Sequence, residues 1–153
     1  MNNLRLTRFC IGLVGLFLLI SPLTSTATII RLQTTLGVID IKLHDETAPR
    51  TVANFFEYLK SNAYDRSFFH RTIPGFIIQG GGYVWNQTTN AVNTIAKLSP
   101  VDNEFSVTRS NVRGTIAMAK LPDKPNSATS EWFINLADNS ADLNKQNEGF
   151  TVF

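Results

Sequence analysis

The run from Phe68 to Gly82 constrains this chain more than any other part of it. Aromatic and β-branched residues crowd both sides of Pro74-Gly75, and three consecutive glycines, Gly80 to Gly82, close the run. Proline followed by glycine favours a turn, so the run reads as two short strands joined there. Alternation along such a pair puts Arg71, Ile73, Ile77 and Gln79 on related faces, and the kink turns Phe76 toward them. A guanidinium beside an apolar floor is costly without a partner or a ligand. Arg71 is therefore either a site residue or an ordinary surface arginine paired with Asp65 or Glu104, a contact of small worth. Spacing leaves both open. The glycine triplet lacks the Lys-Ser/Thr ending and the following helix of a phosphate loop. It reads as a place of close backbone approach or sharp bending.

Helical spacing is strong in one other stretch. From Pro49 to Leu59 the apolar residues Val52, Phe55, Phe56 and Leu59 recur at that period, with proline in the first turn. Thr28 to Gln33 and Val38 to Leu43, hinged near Gly37, read as a hairpin with one buried face. Residues 83–112 are polar and read as a long irregular connection. Gly114 to Lys120 is a strand, 121–130 a loop, Trp132 to Asn135 a strand, 137–148 a loop, and Phe150 to Phe153 the start of a further strand. Short strands with one strong helix predict a mainly β fold, a closed or nearly closed antiparallel barrel capped by a helix.

Length and charge narrow the function. The 153 residues suffice for one domain, and 17% charged against 43% hydrophobic residues excludes a disordered chain. Arg5 and Arg8 lie in a leader with no acid. Without them the fourteen basic residues fall to twelve, equal to the twelve acidic ones, so no basic surface for nucleic acid is expected. Residues 1–27 read as a signal peptide: two arginines, an apolar run from Phe9 to Ile20, Pro22, then Ser25-Thr26-Ala27 before a cleavage point. The run is short for a membrane span, which takes ~20 residues. Cleavage after Ala27 would leave a domain at 28–153 in the periplasm or outside the cell. The one cysteine, Cys10, is in the leader, which excludes a thiolate nucleophile or a cysteine-ligated metal from the domain. His44 and His70 are the only histidines, and neither has a carboxylate pair at ligand spacing.

Phe69 to Gly82 closely resembles the signature of the cyclophilin-type peptidyl-prolyl isomerases. Gly114 to Lys120 and Ser127 to Asn135 are similar to that family's next two motifs, in order and at fitting spacing, and Gly149 to Phe153 to the strand after them. The resemblance covers nearly all of 28–153, and exported bacterial members are the nearest look-alikes. It implies an eight-stranded antiparallel β-barrel closed at its ends by two helices, with the active groove on the outer face rather than in the lumen. By position it implies that Arg71 is the catalytic arginine and that Gln79 holds Arg71 and bonds the substrate backbone. Phe76, Ile77, Ala119 and Phe133 would receive the substrate proline ring, with Leu143 beside them. Lys120 and Glu131 would join the binding surface, where the family usually has asparagine and glutamine. Glu131 would either pair with Arg71 and weaken it, or orient it. The groove tryptophan of many eukaryotic members has no counterpart, which implies weak or no binding of cyclosporin. The family's final helix and final strand have no counterpart before Phe153, so the barrel is expected to be C-terminally incomplete.

The activity implied is acceleration of X–Pro bond rotation in exported proteins as they fold, with no cofactor and no metal. The expected partners are proline-containing peptides and unfolded exported proteins, with no nucleic acid, and a monomer is expected. The alternative is a catalytically weak proline-peptide-binding chaperone or adaptor on the same barrel. A lipocalin-like carrier is disfavoured, because nine phenylalanines after the leader are enough to fill the lumen.

Overall fold

Strands of three to six residues and one three-turn helix build the domain. A computed structural model describes residues 27–153; the expected leader lies outside the described residues, except for Ala27. In chain order the strands are β1 (Ile29–Thr34), β2 (Gly37–Lys42), β3 (Arg71–Ile73), β4 (Ile77–Gly80), β5 (Tyr83–Asn86), β6 (Ala91–Thr94), β7 (Ile116–Met118) and β8 (Trp132–Asn135). The helix α1 spans Pro49–Lys60, and a single turn, α2, spans Ser140–Leu143. The fold is mainly β with a few helical turns.

The hairpin forms as its alternation requires. Ile30 pairs with Ile41 and Leu32 with Ile39, so one face of both strands packs on the core. Helix α1 starts at Pro49, and Ala48 provides no side-chain cap. Glu104, distant in sequence, supplies it: its carboxylate accepts from the Arg50 N–H at 3.1 Å and from the Thr51 N–H and Oγ1 at 2.8 Å each. A carboxylate at a helix N-terminus satisfies orphan donors and opposes the helix dipole. Glu104 is thereby committed to α1 rather than paired with Arg71.

The sheet β3–β4–β8–β7 carries two different faces. Trp132 stands opposite Gly80 and Met118, and Ile134 opposite Ile78 and Ile116. Ile116, Met118 and Trp132 join Leu43, Val52, Phe55 and Phe153 in the main core, and Ile134 packs against it. Rings fill that core in tilted and edge-on contacts: Phe55 lies 5.3 Å from Phe153 and Phe69 lies 5.7 Å from Trp132. The alternate residues face the other way. Phe133 stands opposite Gln79 and Ala117, and Ile77 opposite Asn135. Ile77, Ala117, Phe133, Leu143 and Val152 form a second, smaller cluster there.

Three expectations need correction. Eight strands are present among the described residues, but they form three separate sheets, β1–β2, β3–β4–β8–β7 and β5–β6, and not one closed barrel ladder. Single bridges such as Ser67–Val84 add links between segments. A cleft of about 650 Å³, lined by residues including Leu32, Leu59, Phe69 and Trp132, lies between β1 and the segment before β3. Six of the eight strands, β3 to β8, have only three or four residues, and their ladders end early. Second, residues 83–94 are not irregular. They form the β5–β6 hairpin, whose Trp85 and Val92 are cross-strand partners and both exposed; with neither face deeply buried, no apolar period marks it. Third, 140–143 is a helical turn, and Phe150–Phe153 makes one bridge, Ala117–Val152, instead of a full strand.

Gly81, just after β4, lies close against a neighbouring backbone. It has φ of +76°, and a Cβ there would sit 2.4 Å from the Ser130 carbonyl oxygen. Gly81→Ala should therefore combine left-handed strain with a backbone clash and lower stability by ~2–4 kcal/mol. Urea unfolding of the variant measures this; a midpoint equal to that of the wild type would contradict the packing described.

Candidate active site

The outer face of the four-stranded sheet collects most of the residues singled out from the sequence. The turn between β3 and β4 places Gly75 at φ +72°, with the Phe76 N–H donating to the Ile73 carbonyl at 3.0 Å. This register sets Arg71 opposite Gln79 and Ile73 opposite Ile77, the pairing that alternation predicts. Arg71 Nη1 donates to Gln79 Oε1 at 3.2 Å, and Arg71 is otherwise exposed to solvent. Gln79 Nε2 donates in turn to Glu131 Oε2 at 2.8 Å. Glu131 does not pair directly with Arg71. Its nearest basic neighbours are Lys97, with Nζ 3.7 Å from Oε1, and His70, with Nε2 3.6 Å from Oε2. The glycine triplet makes room here: a Cβ on Gly82 would lie 2.9 Å from His70 Cε1 and 3.3 Å from Glu131 Cδ.

Beside this polar row lies the apolar cluster. Ile77, Phe133 and Leu143 are buried, while Phe76 and Ala119 pack against them and stay partly exposed. Four expected pocket residues from three segments, with Leu143 from α2, are thus brought together. Ala119 is fixed by its N–H donating to the Glu131 carbonyl at 2.9 Å. Phe76 is fixed by its carbonyl, which accepts from the Leu136 N–H and from Asn139 Nδ2, each at 2.8 Å.

Sequence reading missed two parts. Phe150 packs on the cluster with its ring edge-on to Phe133 at 5.7 Å. Its signal was alternation in the last segment: Phe150 and Val152 face this pocket while Phe153 enters the main core. The second part is a buried asparagine network behind the pocket. Asn139 Nδ2 donates to Asn135 Oδ1 at 2.8 Å, Asn135 Nδ2 to Asn111 Oδ1 at 3.2 Å, and Asn111 Nδ2 to the Phe150 carbonyl at 2.9 Å. It ties the backbones of Phe76 and Phe150 to β8. Asparagines scattered through loops carry no periodic signal, so nothing short of the fold reveals it. Among the described residues, no three His, Cys, Asp or Glu side chains converge as a metal site would require.

Lys120 stands at the end of the pocket, but its side chain is used internally. Nζ donates to the carbonyls of Asn147 and Gly149 at 2.7 and 2.6 Å and lies 4.9 Å from the centre of the Phe150 ring. It braces the turn that carries Phe150.

The pocket therefore opens on the outside of a sheet whose other face is packed with aromatic rings, next to an arginine held by a glutamine. Such a site suits a short extended peptide with an apolar ring, not a ligand enclosed in a barrel. Residues 29–153 match the family described as cyclophilin type peptidyl-prolyl cis-trans isomerase/CLD. The chain belongs to this family of enzymes. It is 42% identical over 149 residues to a peptidyl-prolyl cis-trans isomerase of Acinetobacter baylyi, covering 97% of this chain and 75% of that protein. Identity is also 42% over 130 residues to peptidyl-prolyl cis-trans isomerase A of Dickeya dadantii, covering 84% of this chain and 65% of that one. A cyclophilin type isomerase from Cryptosporidium parvum, crystallised in the presence of the dipeptide Ala-Pro, superposes with a TM-score of 0.65 at 25% identity, covering 82% of this chain and 76% of that one.

Burial pulls the Lys120 ammonium down to about 8, with Glu148 acting weakly in the opposite direction. A lysine whose folded value lies below its unfolded one binds fewer protons when folded. Stability should then rise with pH between about 8 and 10.5 and be flat below that window. Lys120→Met should remove this slope. NMR titration of the Lys120 side chain tests the cause directly; titration together with free lysines near ~10.4 would contradict it.

Proposed function

We propose that the domain accelerates cis–trans rotation of X–Pro bonds in exported proteins during their folding, and that it does so on the outer face of the β3–β4–β8–β7 sheet. The observation that carries this reading is Arg71, held by Gln79 and placed beside the pocket of Ile77 and Phe133. The relatives' names and the dipeptide present with the Cryptosporidium protein support the substrate class. The exported setting is supported by the leader, with Arg5 and Arg8 ahead of an apolar run and small residues before Thr28.

Uncatalysed, the rotation takes tens to hundreds of seconds against a barrier of ~18–20 kcal/mol. Reaching milliseconds requires about five decades, or ~7 kcal/mol of preferential transition-state binding. No bond to the enzyme is made or broken, so binding and electrostatics carry the whole effect. The proline ring enters between Phe76, Phe133 and Ala119, over Ile77 and Leu143. An aliphatic ring of this size gains ~1.5–3 kcal/mol on burial, and with the ring fixed, the preceding carbonyl is the part that turns. Apolar walls disfavour the charge-separated planar amide relative to the twisted form. Arg71 donates to the prolyl nitrogen, whose lone pair becomes available only as amide resonance breaks. That bond exists mainly in the transition state, where it speeds the reaction most.

Both tryptophans of the chain lie away from the pocket: Trp132 is in the main core and Trp85 is on the β5–β6 hairpin. This supports weak or absent cyclosporin binding. One of the two supports of the rival reading, a weak proline-peptide binder, was a Glu131 carboxylate dulling Arg71; Gln79 stands between the two side chains.

Arg71→Ala should lower kcat by about two to three decades while the urea midpoint stays unchanged, since the side chain is exposed. The check is a prolyl isomerisation assay on an Ala-Pro-Phe peptide. Unchanged kcat/KM in the variant would refute the assignment. Peptide binding without isomerisation by the wild type would favour the binding module.

A further inference from the structure

We infer that Glu131 is a positioning residue: it fixes which end of the Gln79 amide faces Arg71. The inference rests on the isomerase reading of Arg71 but concerns a different contact. A carboxylate only accepts hydrogen bonds, and a guanidinium only donates them. Gln79 bridges the two, with Nε2 2.8 Å from Glu131 Oε2 and Oε1 3.2 Å from Arg71 Nη1. Turning the amide over would set oxygen against oxygen at one end and N–H against N–H at the other, so both contacts would become repulsive. Arg71 alone could impose this polarity only while it stays on Gln79. Once its guanidinium moves to the prolyl nitrogen, that constraint weakens, and Glu131 remains to hold the amide.

Glu131 is well placed for this task. Its backbone is locked into the sheet by the Ala119 N–H bond to its carbonyl. Lys97 Nζ stands 3.7 Å from Oε1 and His70 Nε2 3.6 Å from Oε2, the oxygen that also accepts from Gln79. The bare backbone of Gly82 leaves the space that His70 and the Glu131 carboxyl occupy. Its charge is thus met by neighbours other than the arginine, so it orients Arg71 through Gln79 without pairing with it. Where the family usually has glutamine at this position, an amide oxygen could accept the same hydrogen bond, but its own amide nitrogen could also be presented. The carboxylate removes that choice.

The test uses the full domain and compares Glu131→Leu, similar in size but unable to accept, with Glu131→Gln, which keeps an acceptor oxygen. Glu131→Leu should lower kcat about tenfold with KM within about twofold, and Glu131→Gln should keep kcat within about threefold of wild type. In an Arg71→Ala background, Glu131→Leu should cost nothing further, because the two act as one unit. A loss carried wholly by KM, or an equal loss with and without Arg71, would show direct substrate contact or mere structural support and overturn the inference. NMR of the Gln79 side-chain amide gives a readout independent of turnover. One of its two protons should be shifted strongly downfield in the wild type and in Glu131→Gln, and should move upfield in Glu131→Leu. An unmoved signal overturns the inference even if the wild type is active. If Arg71→Ala leaves turnover intact, the isomerase reading fails and the amide signal alone decides this one.

Discussion

The register of β8 between β4 and β7 is the constraint on which both the core and the site depend. Trp132 and Ile134 face inward because they stand opposite Gly80, Ile78, Met118 and Ile116; Phe133 faces outward because it stands opposite Gln79 and Ala117. A slip of one residue would exchange every one of these assignments. Phe133 would enter the main core, Trp132 would stand in the groove, and the Gln79 amide would lose its place beside Glu131. Two features resist the slip. Gly80 has no side chain where the Trp132 ring lies, a Cβ there being 3.1 Å from that ring, and Asn135 is held on the far side by Asn111 and Asn139. Fold specificity and site geometry are therefore one and the same pairing.

Polar and apolar parts of the site are stabilised from opposite directions. The apolar pocket is supported from behind by the asparagine network and by Lys120, which together fix the backbones of Phe76 and Phe150. Buried amides of this kind hold position well only when fully bonded, and here they bridge loops that have little regular structure of their own. The polar row is supported from the side, through Glu131, Lys97 and His70. Arg71 can remain exposed and free to meet a substrate because its orientation is imposed by Gln79, not by burial.

Much of this was legible because period-2 alternation and helical spacing act locally. Arg71, Ile77 and Gln79 shared a face on paper and share it in the fold, and Val52 and Phe55 of α1 point inward as their spacing requires. The likeness to the cyclophilin-type family added Phe76, Ala119, Phe133 and Leu143, which no local period would have joined across the chain. What stayed hidden depends on long-range partners. The β5–β6 hairpin buries neither face deeply, so it left no hydrophobic pattern. Ladder closure is a property of strand lengths and neighbours, and the expected continuous barrel is three sheets. Glu104 as the cap of α1 and Asn111 beneath Phe150 are non-local hydrogen bonds that composition cannot signal.

The outer-face pocket and the cleft beside β1 are two places where an apolar ring could settle, and they lie on opposite faces of the same sheet. NMR of the labelled domain with an Ala-Pro-Phe peptide, recording prolyl cis–trans exchange and protein shifts in one sample, separates them most directly. Accelerated exchange with shifts at Ile77, Ala119 and Phe133 is the predicted result. Unaccelerated exchange, or shifts confined to Leu32, Leu59 and Phe69, would contradict the assignment of the active site to the sheet's outer face.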